Sequence, residues 1–185
     1  ETQKLHERLS EALSGTTVEL GIIHSRFTVA DREVNEHRWI DVLGKKSTTR
    51  AQRGRVLVGT QVLEQSLDID ADFLVTRLCP TDMLLQRMGR LWRHAVTERP
   101  AGACCEACVI CPDENLMKKD TKKAFGASAH VYASYVLCRT LESLAGRASI
   151  TLPTDIRQIM EDTYRERPES GVLSDLLNEL EEGSG

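Results

Sequence analysis

Gln86, Arg90 and Arg93 stand four and then three residues apart. If that stretch is helical, at about 100° per residue, the three fall within roughly 20° of one line along the axis. One amide and two guanidinium groups on a stripe offer fixed forks of donors and permanent positive charge, which suits phosphate oxygens. The competing reading is a solvated basic face on a surface helix. Gly89 is costly inside a helix, by about 1 kcal/mol relative to alanine, and marks a position of close backbone approach. Leu84, Met88 and Leu91 repeat at helical spacing on another face and are expected to bury against a sheet.

Three other groupings invite chemistry and are set aside. Cys104, Cys105, Cys108 and Cys111 contain overlapping C-x-x-C spacings, but Cys108 and Cys111 fall on or beside an expected strand, where alternation sends them to opposite faces. Two ligand pairs for zinc are usually separated by about a dozen residues or more, so no metal is expected and packed or rim thiols are favoured. Gly44-Lys45-Lys46-Ser47 has the end of a phosphate-binding loop, yet Trp39 occupies the place of its first glycine. Asp113-Glu114 reads as a solvated turn rather than a metal-binding pair.

The chain has 185 residues, 41% hydrophobic and 28% charged, ordinary values for a globular protein. No apolar run is long enough to span a bilayer and no signal peptide opens the chain, so the expected compartment is the cytoplasm, with no membrane partner. Six cysteines without a secretion signal do not read as disulfides. The net charge of −4 conceals segregation: Lys45 to Arg55 holds five basic residues and no acids, and acids dominate from Asp155 onward. A local basic field is what attracts nucleic acid, so the basic run is a candidate electrostatic track or an exposed loop. With 4% aromatic residues there is no base-stacking platform, and Trp39 and Trp92 are expected to pack.

The elements that must position these residues alternate. Helices are expected over Thr2 to Leu13 and from Thr28, with Asp31 in a capping box, to about Leu43. Short apolar runs at 18–23, 55–60, 73–76 and 107–111 read as strands. Thr81 is the expected N-cap of the helix that carries the arginines. Beyond Pro112 the pattern turns helical, at about 129–144, 154–164 and 173–180. Alternating strands and helices imply an α/β fold: a parallel sheet flanked by helices, with a C-terminal helical extension. Ligands then sit at the carboxyl ends of the strands, where Ser25-Arg26, Thr60-Gln61 and the Pro80-Thr81-Asp82 loop converge. Ser25, Arg26 and Thr60 supply short hydroxyls and one cation there, suited to sugar–phosphate contacts that carry no sequence information. His24 is expected to pack or to accept a hydrogen bond.

Three ordered stretches then resemble one family. These are His24-Ser25-Arg26-Phe27-Thr28 with Asp31-Arg32, Gly59 to Asp70 with its Glu64-Gln65-Ser66-Leu67-Asp68-Ile69-Asp70 wording, and Leu84 to His94. The last two look like motifs V and VI of superfamily 2 helicases, and the wording is similar to the CRISPR-associated helicase-nuclease of type I systems. Arg99-Pro100 and Leu152-Pro153 also fit that family. The resemblance implies the second RecA-like motor domain over residues 1–112, its first strand apparently missing, with a helical extension over 113–185.

By that resemblance Arg90 and Arg93 are arginine fingers for ATP held by an absent first motor domain, which also holds magnesium, and Gln86 positions the triphosphate or water. Such a group is worth about 10³- to 10⁵-fold in rate. Asp68 would accept a hydrogen bond from the ribose or couple two sites; otherwise it pairs with a local arginine. Ser25, Arg26 and Thr60 would contact the backbone of single-stranded DNA, or Ser25 and Thr60 would merely cap helices. The implied partners are the first RecA-like domain and the nuclease domain of the same parent, and a guide-RNA surveillance complex in antiviral defence. Another superfamily 2 (RNA) helicase fragment and a non-catalytic RecA-like docking module are the alternatives.

Overall fold

The computed structural model describes residues 1–65, 67–95 and 98–183. The chain divides into two compact units interleaved in sequence, Glu1–Leu74 with Arg87–Ala107, and Val75–Gln86 with the chain from Cys108 onward.

The first unit holds α1 (Thr2–Ala12), β1 (Glu19–Ile23), α2 (Val29–Leu43), β2 (Arg55–Gly59) and α3 (Val62–Gln65). β1 and β2 pair in parallel, with Glu19 opposite Arg55 and Ile23 opposite Gly59. Trp39 of α2 lies directly on the pair: a Cβ added at Gly21 would sit 2.0 Å from its Cζ2. Only glycine leaves room for the indole, which joins Ile23, Val62, Leu67 and Ile69 in a core ringed by Ile40, Leu43, Leu57 and Leu63. Thr28 caps α2 by accepting from the Asp31 amide at 3.2 Å, while its hydroxyl donates to the Asp31 carboxylate at 2.6 Å rather than closing the reciprocal box.

The strands β3 (Phe73–Arg77) and β4 (Glu106–Ile110) pair in a second two-stranded sheet, and α4 (Thr81–Met88) follows β3. The expected continuous sheet is therefore split into two short pairs among the described residues. Thr81 is the first helical residue, not the cap. It is buried, with its hydroxyl bonded to those of Thr140 at 3.1 Å and Thr163 at 2.7 Å.

The second unit is mainly helical: α5 (Glu114–Lys119), α6 (Thr121–Phe125), a 3₁₀ turn over Gly126–His130, α7 (Ser134–Leu144), α8 (Ile156–Tyr164) and α9 (Val172–Glu182). Leu78, Phe125 and Leu137 form its core, with Met117, Tyr132, Cys138 and Leu141 around them. Asp113 is exposed, as expected, but it is a helix cap rather than a turn residue. It caps α5 by accepting from the Leu116 amide at 2.8 Å, and Asp120 does the same for α6 through Lys123. Arg139 is buried and bridged to Glu169 at 2.6 Å, and it also donates to the Asp162 and Arg165 carbonyls, which ties the segment after α8 to α7. No helix of the described residues is long and apolar enough to cross a membrane.

Candidate functional site

Parallel register places two loops at one edge of the first sheet. The His24 loop leaves β1 at Ile23, Thr60 leaves β2 opposite it, and the Thr60 amide donates to the Ile23 carbonyl at 3.3 Å. His24 stacks on Phe27 with ring centres 4.3 Å apart, and its Nδ1 accepts from the Arg26 amide at 3.2 Å. That pairing stiffens the loop and leaves Ser25 and Arg26 exposed. The Thr60 hydroxyl is buried with no hydrogen-bond partner among the described residues, so it caps none of the described helices. The structure thus brings Ser25, Arg26 and Thr60 to one strand-end edge.

Within the basic run Lys45 and Lys46 are exposed, whereas the three arginines are engaged. Arg50 is buried against Asp72 at 3.4 Å and the Leu43 carbonyl at 3.1 Å. Arg55 pairs with Glu19 at 3.1 Å, and Arg53 donates to the Thr17 carbonyl at 2.8 Å.

The arginine segment departs from the expected helix. α4 ends at Met88, and the amides of Arg90 and Leu91 bond back to Arg87 and Met88 in a closing turn. The chain then pairs with residue 71: Leu91 bridges Ala71 in parallel, the Arg90 carbonyl accepts from the Ala71 amide at 2.7 Å, and the Trp92 amide donates to Ala71 at 3.1 Å. Gln86, Arg90 and Arg93 therefore do not share one helical stripe. Strand-like pairing with residue 71 captures the backbone that the helix would have used, and Gly89 sits where the helix yields. Gln86 is exposed on α4.

Both arginines are tied to the segment that precedes them in sequence. Arg90 donates to the Glu64 carbonyl, and Glu64 pairs with Arg87. The Arg90 Nε is buried with no hydrogen-bond partner among the described residues. Burial first, and then the like charge of Arg93, hold the Arg90 pKa below the ordinary arginine value, against the pull of Asp68 and Glu64. Arg93 pairs with Asp68 at 2.6 Å on the surface, and His94 Nε2 lies 3.6 Å from the same carboxylate. Asp68 does pair with a local arginine here.

Sequence reasoning missed Asp70 and Arg99. Asp70 is fully buried and accepts from the backbone amides of Arg93 at 2.9 Å and His94 at 3.3 Å. The Arg99 guanidinium donates to both Asp70 oxygens at 2.8 and 2.9 Å and to Asp72 at 2.7 Å. Its carbon sits 4.3 Å from the centre of the Trp92 ring, so Trp92, 41% exposed, is a platform rather than a core residue. The signals in the sequence were the repeated aspartate of Asp68-Ile69-Asp70 and the family-like Arg99-Pro100. Among the described residues no group of three potential ligands comes together for a metal, and Cys104, Cys105, Cys108 and Cys111 are exposed thiols.

A family model described as the C-terminal part of the CRISPR-associated nuclease/helicase Cas3 matches residues 1–96, which include both arginines, Asp68 and the strand-end loops. The chain belongs to this family. The Cas3 endonuclease/helicase of Escherichia coli (strain K12) is 40% identical over 167 residues, covering 88% of this chain and 18% of that protein. The crystal structure of T. fusca Cas3-ATP superposes with a TM-score of 0.83 at 31% identity, covering 98% of this chain and 20% of that one. A chain of the pre-nicking CRISPR RNA-guided surveillance complex does so at 0.82 and 31% identity, covering all of this chain and 22% of that one. The chain thus spans about a fifth of the length of the Cas3 relatives it matches. The mixed α/β architecture is that of the Cas3 C-terminal RecA-like domain.

Proposed function

We propose that this chain is the second motor half of an ATP-dependent single-stranded DNA translocase or helicase acting in CRISPR interference. Residues 1–112 carry the motor surface and residues 113–185 the helical extension. The observation that carries the reading is the under-neutralised arginine pair. Arg90 is partly desolvated with an Nε that has no partner among the described residues, and Arg93 beside it is held by an exposed carboxylate and a long bond to the Gly89 carbonyl at 3.5 Å. An exposed ion pair is worth about 0–1 kcal/mol, so a polyphosphate can displace Asp68 from Arg93 at little cost. Charge-assisted bonds from planar guanidinium forks then match the developing charge on a γ-phosphate.

In this reading Arg90 and Arg93 are the arginine fingers for ATP gripped by the first motor domain, which also holds magnesium. Gln86 positions the triphosphate or the water, and Asp68, once released, accepts from the ribose or couples the two sites. Ser25, Arg26 and Thr60 hold the sugar–phosphate backbone of the tracked strand. ATP as the nucleotide is supported by T. fusca Cas3-ATP, and a guide-RNA complex as partner by the match to the surveillance complex. The nuclease domain and the first motor domain of a Cas3-type parent are the remaining partners, and the setting is the cytoplasm.

The test is Arg93→Ala in a full-length Cas3-type protein carrying this chain. ATP hydrolysis falls by at least about 10³-fold while single-stranded DNA binding stays intact, and the isolated chain hydrolyses no ATP. Turnover surviving Arg93→Ala removes the finger assignment.

A further inference from the structure

Arg93 is not positioned by a helix, because α4 has ended five residues earlier. Its backbone is instead pinned by the Asp70 carboxylate through the amides of residues 93 and 94. A fully buried carboxylate needs a matched cation and good geometry to remain charged. Arg99 supplies both, with Nη2 donating to the two Asp70 oxygens and Nη1 reaching Asp72. Arg50 joins them, with a guanidinium nitrogen 3.4 Å from Asp72 and 3.9 Å from Asp70, so each aspartate faces two arginines.

The same Arg99 face lies against Trp92, whose φ of 44° is a left-handed conformation that side chains disfavour. Trp92 is kept there by its amide bond to Ala71 and by its ring nitrogen, which donates to the Asp72 carbonyl at 3.2 Å. The strained residue immediately precedes Arg93. One guanidinium therefore touches the carboxylate that holds the Arg93 backbone and the ring that sets the turn before it.

We infer that Arg99 is a positioning residue that fixes the direction of the Arg93 finger through Asp70 and Trp92. The inference rests on the motor reading above. Arg99→Lys would keep the charge that neutralises Asp70 but lose the planar fork and the stack, since an ammonium is a compact point charge. Trp92→Leu removes the platform and leaves the ion pairs.

Both variants are made in the full-length Cas3-type protein and compared with Arg93→Ala. The readouts are kcat, KM for ATP, single-stranded DNA affinity, the thermal midpoint, and affinity for ADP–aluminium fluoride against a non-hydrolysable ATP analogue. A displaced finger lowers kcat by roughly 10- to 100-fold. KM and DNA affinity stay within about twofold, and affinity for the fluoride complex falls by the same factor as kcat while the ground-state analogue is unaffected. Unchanged kcat in both variants overturns the inference. So does a joint fall of kcat, DNA affinity and thermal midpoint, which marks support of the fold alone. If Arg93→Ala itself retains turnover, the motor reading fails first; if it is dead while both variants are fully active, only the positioning role fails.

Discussion

Asp68 and Asp70 differ by two positions and by the whole of their surroundings. The Asp68 side chain is 59% exposed and meets Arg93 at the surface, whereas Asp70 is fully buried among backbone amides and the Arg99 fork. Solvent screens the first pair, and holding two mobile side chains together offsets most of its Coulomb gain. Asp68→Asn therefore shifts stability by less than about 1 kcal/mol. Asp70→Asn leaves buried cations short of a partner and destabilises by about 3–5 kcal/mol. Denaturant unfolding of the two variants side by side measures the contrast, and equal losses would mean that burial is not what separates them. The repeated aspartate was visible in the sequence, but which copy was buried depended on residue 99, far along the chain.

At the scale of elements, β1 and β2 are tied at their first register pair by charge as well as by backbone bonds. Glu19 on β1 faces Arg55 on β2 and also accepts from Arg38 of α2 at 2.6 Å. Burial alone would raise the Glu19 pKa, but hydrogen bonds from Arg38 and Arg55 outweigh it and hold the carboxyl below its ordinary value. The sign follows from linkage: a depressed carboxylate contributes stability that is present above the unfolded value of about 4.3 and lost as pH falls through the folded one. Glu19→Gln thus lowers stability at neutral pH and flattens the acid limb, so that in denaturant titrations the variant and the parent chain converge only once pH has fallen below the depressed pKa of the folded carboxyl. The strands themselves were legible, since short apolar runs with turn residues behind them need no distant information. Helix α2 was equally plain from Thr28 to Gly44. The end of α4 was not: periodicity continued through Arg93, and only pairing with Ala71, distant in sequence, decides that the helix stops at Met88. Helices α5 and α6 were missed because they are short, and their capping aspartates resemble turn residues until the following amides are placed.

For the molecule as a whole, a net charge of −4 argues against a polyanion partner only if charge is spread evenly, and it is not. In the densest basic run Arg50, Arg53 and Arg55 already bond to carboxylates or carbonyls within the first unit, and Lys45 and Lys46 are the exposed cations. The exposed Arg26, on a loop stiffened by His24 and Phe27, is the cation that the fold presents beside Ser25 and Thr60. Each phosphate neutralised on a single strand releases counterion and steepens the fall of log affinity with log salt by about 0.7. In a full-length Cas3-type protein Arg26→Ala therefore weakens single-stranded DNA binding irrespective of sequence and reduces that slope by about 0.7, whereas Arg53→Ala leaves the slope unchanged. Salt titrations with fluorescently labelled oligonucleotides of two unrelated sequences give both numbers. A slope that responds to Arg53 and not to Arg26 would move the strand off the His24 loop and onto the basic run, and the strand-end edge would lose its assignment as the DNA-facing side of the domain.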